Sequence, residues 1–127
     1  MPIHITSAHI QRVLAKHPDL CIDGLRYGST SPNSCYTDAR FPERRAMFLE
    51  PEYLPHIVTA YEYLNHFELY KRVGSYGLKH LMENWGRANG LASYVTNGCA
   101  ILAAILAGYQ ILRTSYPSPN CTFRRPK

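Results

Sequence analysis

An apolar segment near the C-terminal end, YVTNGCAILAAILAGYQILR (residues 94–113), constrains the fold more than any other part of the sequence. Residues 99–107 within it contain no polar side chain, and the run continues only across Gly108 and Gln110. A membrane-spanning helix needs about 20 predominantly apolar residues. The segment is too short for that, so its length predicts a buried core helix over residues 98–107.

The caps of this helix and the first part of the chain are also predicted. Thr96 or Asn97 is expected to cap the buried helix, and the glycine that follows residue 107 is expected to end it. Near the start of the chain, Thr6 or Ser7 can cap a short amphipathic helix that ends before the next proline. Residues 20–49 are expected to hold a small β or extended element. Its expected parts are a hairpin turn at Asp23-Gly24, a loop and an extended apolar patch. A plain turn is the alternative to the hairpin.

A long helix is predicted in the middle of the chain. Pro51 and Pro55 both suit its first turn, where a missing amide hydrogen costs little, and Gly74 is its expected end. Lys71 and Arg72 then stand in the last turn, where the helix dipole favours positive charge. Its predicted core-facing residues are Ile57, Val58, Tyr61, Leu64 and Phe67.

A second strong helix follows, with Ser75 as its expected cap and Asn89-Gly90 as its expected end. Apolar residues repeat along it at positions i, i+3, i+4 and i+7, the pattern of an amphipathic helix. The predicted core-facing residues are Leu78, Leu81, Met82 and Trp85. The face predicted to be exposed carries Lys79, His80, Glu83, Asn84 and Arg87.

These elements predict a mainly α-helical fold, with an α+β fold as the alternative. About four helices are expected to pack around the buried helix at residues 98–107, with a further strand or extended segment at 109–114. A chain of 127 residues is long enough for one domain with its own core. We therefore predict a single domain over residues 1–127, ending in a basic, proline-containing tail at 115–127.

The net charge of +5 is distributed unevenly along the chain. Residues 1–83 hold nine basic and nine acidic residues, which cancel, whereas residues 84–127 hold five basic residues and no acidic one. Such asymmetry predicts an anionic partner, which is nucleic acid, an acidic protein face or a lipid surface. The alternative is that the basic tail serves only to keep the protein in solution.

The sequence carries no recognisable motif for catalysis, cofactor binding or metal binding. Its four cysteines form no CxxC pair and no Cys/His run at zinc-ligand spacing. Residues 74–77, GSYG, lack the further glycines and the lysine of a nucleotide-binding loop. No cofactor, metal ligand or catalytic residue is predicted, and a small enzyme is the least favoured function. The N-terminal residues MPIHITSAH do not resemble a signal peptide, so a cytoplasmic setting with free thiols is expected.

A helix-turn-helix reader of DNA is excluded by the apolar helix itself. In that motif the second helix presents polar side chains to base edges in the major groove. The corresponding helix here is CAILAAILA, which has no hydrogen-bonding side chain after Asn97. Binding that depends on phosphate contacts, without base reading, is still compatible with the sequence.

The predicted binding surface is the outer face of the second helix together with neighbouring basic residues. We predict association with nucleic acid through phosphate contacts, and the alternative is docking on a protein partner with some of the ten tyrosines as anchors. The predicted binding residues are Lys71, Arg72, Ser75, Lys79, His80, Arg87, Arg113, Arg124, Arg125 and Lys127.

Three stretches, GSYGLKHLMENW, YVTNGCAILAAILAGY and SPNCTF, together resemble small uncharacterised proteins of bacterial phages and plasmids. The resemblance covers residues 74–123 and carries no catalytic residue. It implies a regulator that contacts nucleic acid, or an inhibitor or adaptor that docks on a host defence or nucleoprotein complex in the manner of anti-CRISPR proteins.

Overall fold

The computed structural model describes residues 4–69, 73–113 and 118–124. These ranges contain five α-helices, four short strands and two turns of 3-10 helix, so the mainly α-helical prediction with a small β element is confirmed. The strands form two separate antiparallel pairs, β1 with β2 and β3 with β4. The helices are α1 (Ser7–Lys16), α2 (Phe41–Ala46), α3 (Leu54–His66), α4 (Ser75–Ala88) and α5 (Asn97–Leu106). The strands are β1 (Leu20–Cys21), β2 (Gly24–Leu25), β3 (Gln110–Leu112) and β4 (Thr122–Arg124), and the 3-10 turns are Met47–Leu49 and Pro51–Tyr53.

The predicted apolar helix, α5, lies at the centre of the fold. It packs against α1, α3 and α4 and against strands β1, β2 and β3. All residues from Asn97 to Ala104 are buried, as predicted, whereas residues 105–107, also predicted to be buried, are half-buried. The Thr96 hydroxyl accepts a hydrogen bond from the Cys99 amide at 3.0 Å, and Gly108 adopts a positive φ of 99° where the helix ends. Within the described ranges, none of the helices is long and apolar enough to cross a membrane.

The N-terminal end of α5 packs closely against the β1–β2 hairpin. The Gly98 amide donates to the Ile22 carbonyl at 3.0 Å, and a Cβ atom added to Gly98 would overlap the carbonyl oxygens of Cys21 and Ile22. The side-chain nitrogen Nδ2 of the neighbouring Asn97 donates to the Asp23 carbonyl at 3.2 Å and to Oδ1 of Asn120 at 2.9 Å. The hairpin and the C-terminal segment therefore meet at the first turn of α5.

The hairpin turns one residue earlier than predicted. Leu20 pairs with Leu25 and Cys21 pairs with Gly24, so Ile22 and Asp23 form the turn. Ile22 is buried in the core, and two nitrogens of the Arg44 guanidinium bind the Asp23 carboxylate at 2.7 Å each. These tertiary contacts outweigh the local preference for Asp-Gly at the centre of a turn.

Residues 41–49 are helical, which corrects the prediction of an extended patch. Phe41, Arg44, Arg45 and Phe48 stand at helical spacing i, i+3, i+4 and i+7 and contact the rest of the fold together. Arg45 donates hydrogen bonds to the carbonyls of Leu14, His17 and Leu20, which are the last carbonyls of α1 and the first of the hairpin. Because this inward-facing stripe contains two arginines, the sequence does not show the apolar periodicity that would predict a helix here.

Helix α3 is shorter at its C-terminal end than predicted. It ends at His66, and Phe67 is already extended at φ −134° and ψ 132°. Phe67 is 45% exposed, so its predicted core position is wrong. Lys71 and Arg72, predicted in its last turn, lie outside the described residues. The buried residues of α3 are Ile57, Thr59, Ala60 and Tyr61, while Val58 and Leu64 are partly buried against the core.

The buried face of α4 is rotated from the predicted one. Gly86 lies so close to the Ala92 carbonyl and the Thr59 side chain that an added Cβ would overlap both. Because α4 approaches its neighbours most closely at this glycine, the face of the helix that contains Gly86 is the buried one. Leu81, predicted to face the core, is 41% exposed, whereas Lys79 and Glu83, predicted to be exposed, are buried. The buried residues of α4 are Ser75, Leu78, Lys79, Met82, Glu83 and Gly86.

The start of α4 is held by the C-terminal segment. Gly74 occupies the cap position with no side-chain hydrogen bond, so the prediction that Ser75 caps the helix is wrong. Ser75 is fully buried, its amide donates to the Cys121 carbonyl at 2.8 Å, and its hydroxyl accepts from the Cys121 amide at 3.1 Å. The residues before β4 are thus part of the packed structure, although a tail was expected there.

The packing of Gly98 against the hairpin predicts a large cost for the smallest possible side chain. We expect Gly98→Ala to lower the free energy of unfolding by about 3 kcal/mol or more, because the clashing atoms are backbone and cannot rotate away. Gly77 is the matched control: it is exposed within α4 and has no atom within 4 Å of an added Cβ. Gly77→Ala should stabilise by about 0.5–1 kcal/mol through helix propensity. Urea denaturation followed by circular dichroism measures both changes, and equal effects would contradict this account.

Candidate binding surface around α4

Two exposed tyrosines and a buried lysine form the centre of the surface on α4. The Lys79 Nζ atom lies 5.6 Å from the ring centroid of Tyr76 and 5.1 Å from that of Tyr94. Lys79 is 9% exposed, while Tyr76 and Tyr94 are 55% and 57% exposed. A cation within about 6 Å of a ring is attracted by the quadrupole of the ring. The lysine therefore contacts both rings and favours these positions for them at the surface.

The Glu83 carboxylate fixes this arrangement from below. One of its oxygens, Oε2, lies 3.5 Å from Lys79 Nζ and accepts a hydrogen bond from the Val95 amide at 3.0 Å. The other, Oε1, lies 3.3 Å from Nδ1 of His80. Because Val95 follows Tyr94 directly, this one buried carboxylate ties the loop that carries Tyr94 to the helix that carries Tyr76.

Histidines extend the two tyrosines into a continuous row. His80 meets Tyr76 edge-to-face with ring centroids 4.7 Å apart, and His56 meets Tyr94 in the same way at 5.5 Å. Tyr53 continues the row beyond His56, with ring centroids 5.3 Å apart. We call this set the aromatic row; its members are Tyr53, His56, Tyr94, Lys79, Tyr76 and His80.

His56 is a neutral member of the aromatic row at neutral pH. Burial lowers the pKa of His56 below its ordinary value of 6.5, and the nearby carboxylates of Glu52 and Glu83 oppose this only in part. Its Nδ1 atom is buried and has no hydrogen-bond partner among the described residues. The ring thus contributes shape and polarity to the row without a positive charge.

A second aromatic cluster lies where the end of α3 meets α4. Phe67 packs against Tyr63 at 4.8 Å between ring centroids, and Trp85 meets Phe67 at 6.3 Å and His66 at 5.3 Å. Trp85 was predicted to face the core, but it is half-buried in this cluster. The exposed part of the cluster adds apolar area to the surface of α4 beside the 41% exposed Leu81.

Three of the predicted binding residues make contacts within the fold. Ser75 is buried against Cys121, and Lys79 is buried between two rings and a carboxylate. Arg113 is half-buried and donates to the backbone carbonyls of Arg26 and Ser118. These interactions tie parts of the fold together, so their polar groups are directed at the protein itself.

Three other predicted residues are exposed. His80 and Arg87 lie on the outer face of α4, where Arg87 donates to the Asn84 side chain at 3.2 Å. Arg124 lies in β4, where it pairs with Gln110 in the strand register. The helix thus brings His80 and Arg87 to one face, with Arg124 on a different element. The remaining predicted residues, Lys71, Arg72, Arg125 and Lys127, lie outside the described residues.

The tyrosines of the aromatic row and the role of Glu83 were not identified from the sequence. The Lys79 and Glu83 spacing of four residues was visible, but such pairs usually lie on a solvated helix face. Tyr94 reaches the row from a loop, where no periodic pattern predicts the direction of a side chain. Only the close packing of the loop on Gly86 and Glu83 brings it there.

The thiols of the core are not nucleophiles at neutral pH. Burial raises the pKa of Cys21 to about 11 and that of Cys99 and Cys121 to about 12, so all three stay protonated. Burial also raises the pKa of the half-buried Cys35. Within the ranges that the structure describes, no group of three or more Cys, His, Asp or Glu side chains could hold a metal ion.

The fold and surface define a mainly α-helical protein with a central apolar helix and an exposed aromatic row. No family model, curated protein or solved structure matches the chain. The function therefore has to be inferred from the surface itself, and the resemblance to phage and plasmid proteins stays a prediction.

The buried Glu83 carboxylate predicts a strong dependence of stability on one side chain. We expect Glu83→Ala to lower the free energy of unfolding by about 3 kcal/mol, because it leaves the Lys79 ammonium and the Val95 amide buried without their partner. Asn84→Ala, on the exposed face of the same helix, should change stability by less than about 0.5 kcal/mol. Urea denaturation of both variants checks this. A small loss for Glu83→Ala would mean that the carboxylate does not anchor the loop.

Proposed function

We propose that this chain is a non-enzymatic binding protein that docks on a protein partner through the aromatic row. The observation that carries the proposal is the pair of tyrosines, Tyr76 and Tyr94, each more than half exposed and both held by Lys79. A tyrosine presents a large apolar ring and a hydroxyl that hydrogen-bonds at the edge of a contact, which suits interfaces.

The contacts that the two rings make within the protein favour tight docking. An exposed side chain that is free to rotate loses about 0.5–1.5 kcal/mol of conformational freedom when a partner immobilises it. Tyr76 is already restrained by Lys79 and His80, and Tyr94 by Lys79 and His56. Anchors that are ordered before contact avoid part of this cost, as in matured antibody surfaces.

The charge of the aromatic row favours a protein partner over a phosphate backbone. The positive charge of Lys79 is offset by Glu83, and burial keeps His56 neutral. Protein interfaces typically have an aromatic centre with a polar rim, for which exposed His80 and Arg87 are suitable. Phosphate binding instead depends on several uncompensated Lys or Arg side chains.

The partner we propose is a host protein complex, on which the chain acts as an inhibitor or adaptor. This choice of partner rests on the resemblance of residues 74–123 to small phage and plasmid proteins. The aromatic row lies within or beside that segment, since Tyr76, Lys79, His80 and Tyr94 all belong to it.

Association with nucleic acid is the second candidate. Two observations favour it: Arg87 and Arg124 are exposed, and residues 84–127 contain no acidic residue to compensate them. Contacts of this kind would give affinity for phosphate without base specificity.

The docking proposal predicts that loss of the two rings abolishes capture of a specific partner. Tagged protein is used to capture partners from nuclease-treated bacterial lysate, and the captured protein is then purified for calorimetry. We expect Tyr76→Ala with Tyr94→Ala to weaken this binding by at least about 100-fold, since anchor residues each contribute roughly 2 kcal/mol or more.

Leu112→Ala is the control for this experiment, because Leu112 is also exposed and apolar but belongs to β3. It should bind like the unmodified chain. Equal binding by the double tyrosine variant would refute docking through the aromatic row.

A salt series separates the two candidates. Under the docking proposal, duplex DNA, single-stranded DNA and RNA all fail to bind at low salt. Under the second candidate, log K falls linearly with log salt, and Arg87→Gln with Arg124→Gln reduces the slope by about 2. Fluorescence anisotropy with labelled oligonucleotides measures this slope. Binding with an unchanged slope in the double variant would exclude these two arginines as phosphate ligands.

A further inference from the structure

A groove between α1 and the C-terminal end of α5 lies apart from the aromatic row. Its volume is about 350 Å³, within the range of roughly 300–1,000 Å³ that small-molecule sites occupy. Val13 of α1 and Ile105 and Leu106 of α5 form its apolar floor. These two α5 residues are half-buried, unlike the fully buried residues earlier in the helix, so apolar surface is exposed here.

Positive side chains border this apolar floor. Arg12 and Lys16 are exposed, stand four residues apart and therefore project from the same face of α1. His9 and His17, both half-buried, complete the α1 side of the groove. None of the described residues that line the groove is acidic. A negatively charged group in the groove would therefore meet positive charge without a competing carboxylate in the lining.

Carbonyls at the end of α1 are bound by an arginine from another helix. A basic residue in the last turn of a helix usually interacts with the unsatisfied carbonyls there. In this protein the Arg45 guanidinium occupies that position, because it donates to the carbonyls of Leu14 and His17. Among the described residues, the Arg12 Nε atom donates a long hydrogen bond of 3.4 Å to the Ala8 carbonyl on its own helix.

We propose that this groove binds a medium-chain fatty acid, with the carboxylate between Arg12 and Lys16 and the alkyl chain on Val13, Ile105 and Leu106. The combination of a cationic rim and an aliphatic floor selects this occupant. An inorganic anion would leave the apolar floor exposed to water, and a neutral hydrocarbon would offer no anionic group to Arg12 and Lys16. Nucleic acid is disfavoured because the floor is aliphatic, and the two rings on the α1 side, those of His9 and His17, are half-buried and leave little flat surface on which a base could stack.

Binding of decanoate to the full-length chain tests the proposal, with decanol and inorganic phosphate as comparison ligands below any micelle-forming concentration. Calorimetry should give one decanoate per chain. Decanol should bind at least about tenfold more weakly, since it lacks the charged group that would hydrogen-bond to Arg12 and Lys16. Phosphate alone should fail to displace decanoate. Equal binding of decanoate and decanol would overturn the role of the cations, and the absence of decanoate binding would overturn the proposal.

Two double variants locate the site. Arg12→Gln with Lys16→Gln should weaken decanoate binding by about tenfold or more. Arg87→Gln with Arg124→Gln removes the same amount of charge elsewhere and should leave binding unchanged. Both pairs are exposed, so thermal melting should show a folded protein in each case. Equal weakening by the two double variants would mean general electrostatic attraction and would overturn the assignment to this groove.

Discussion

The contact between Gly98 and the β1–β2 hairpin is the constraint on which the rest of the structure depends. Because Gly98 has no side chain, the first turn of α5 lies directly on the backbone of Cys21 and Ile22. Asn97 at the same end of α5 binds the backbone of the hairpin and the side chain of Asn120. The segment that follows Asn120 then pairs with the start of α4. One close backbone approach thus positions the hairpin, the C-terminal segment and α4 relative to the core helix.

The aromatic row depends on a second buried interaction, the one between Glu83 and its partners. A buried carboxylate is costly unless its lone pairs are satisfied. Glu83 is satisfied by Lys79 on its own helix and by the Val95 amide on the loop. The hydrogen bond from the Val95 amide, which offsets part of the cost of burying the carboxylate, also positions the adjacent Tyr94. Burial of the Lys79–Glu83 pair therefore places two tyrosines side by side on the surface of α4. Because Gly86 has no side chain, the loop can approach the helix closely enough for this contact.

The sequence predicted those elements whose buried faces are purely apolar. Ile10, Val13 and Leu14 of α1 are buried as their spacing predicts, and so is α5 from Asn97 to Ala104. The prediction failed where polar residues face inward. In α4 the inward turn of Lys79 and Glu83 rotated the helix, and in α2 the stripe that includes Arg44 and Arg45 looked polar. Hydrophobic periodicity cannot identify such faces, because their partners are distant carbonyls and carboxylates. For the same reason the basic residues were predicted as binding groups, while the tyrosines beside them were not selected.

The two proposed surfaces are attached to opposite ends of α5. The loop that carries Tyr94 leads into its N-terminal end, and Ile105 and Leu106 form the groove floor at its C-terminal end. A ten-residue helix is about 15 Å long. Coupling across this distance would require an element with two alternative arrangements. Since α5 is buried from Asn97 to Ala104 and locked to the hairpin through Gly98, it is held in one arrangement. Substitutions at the two surfaces should therefore act additively on stability and independently on binding, as expected of sites without shared partners.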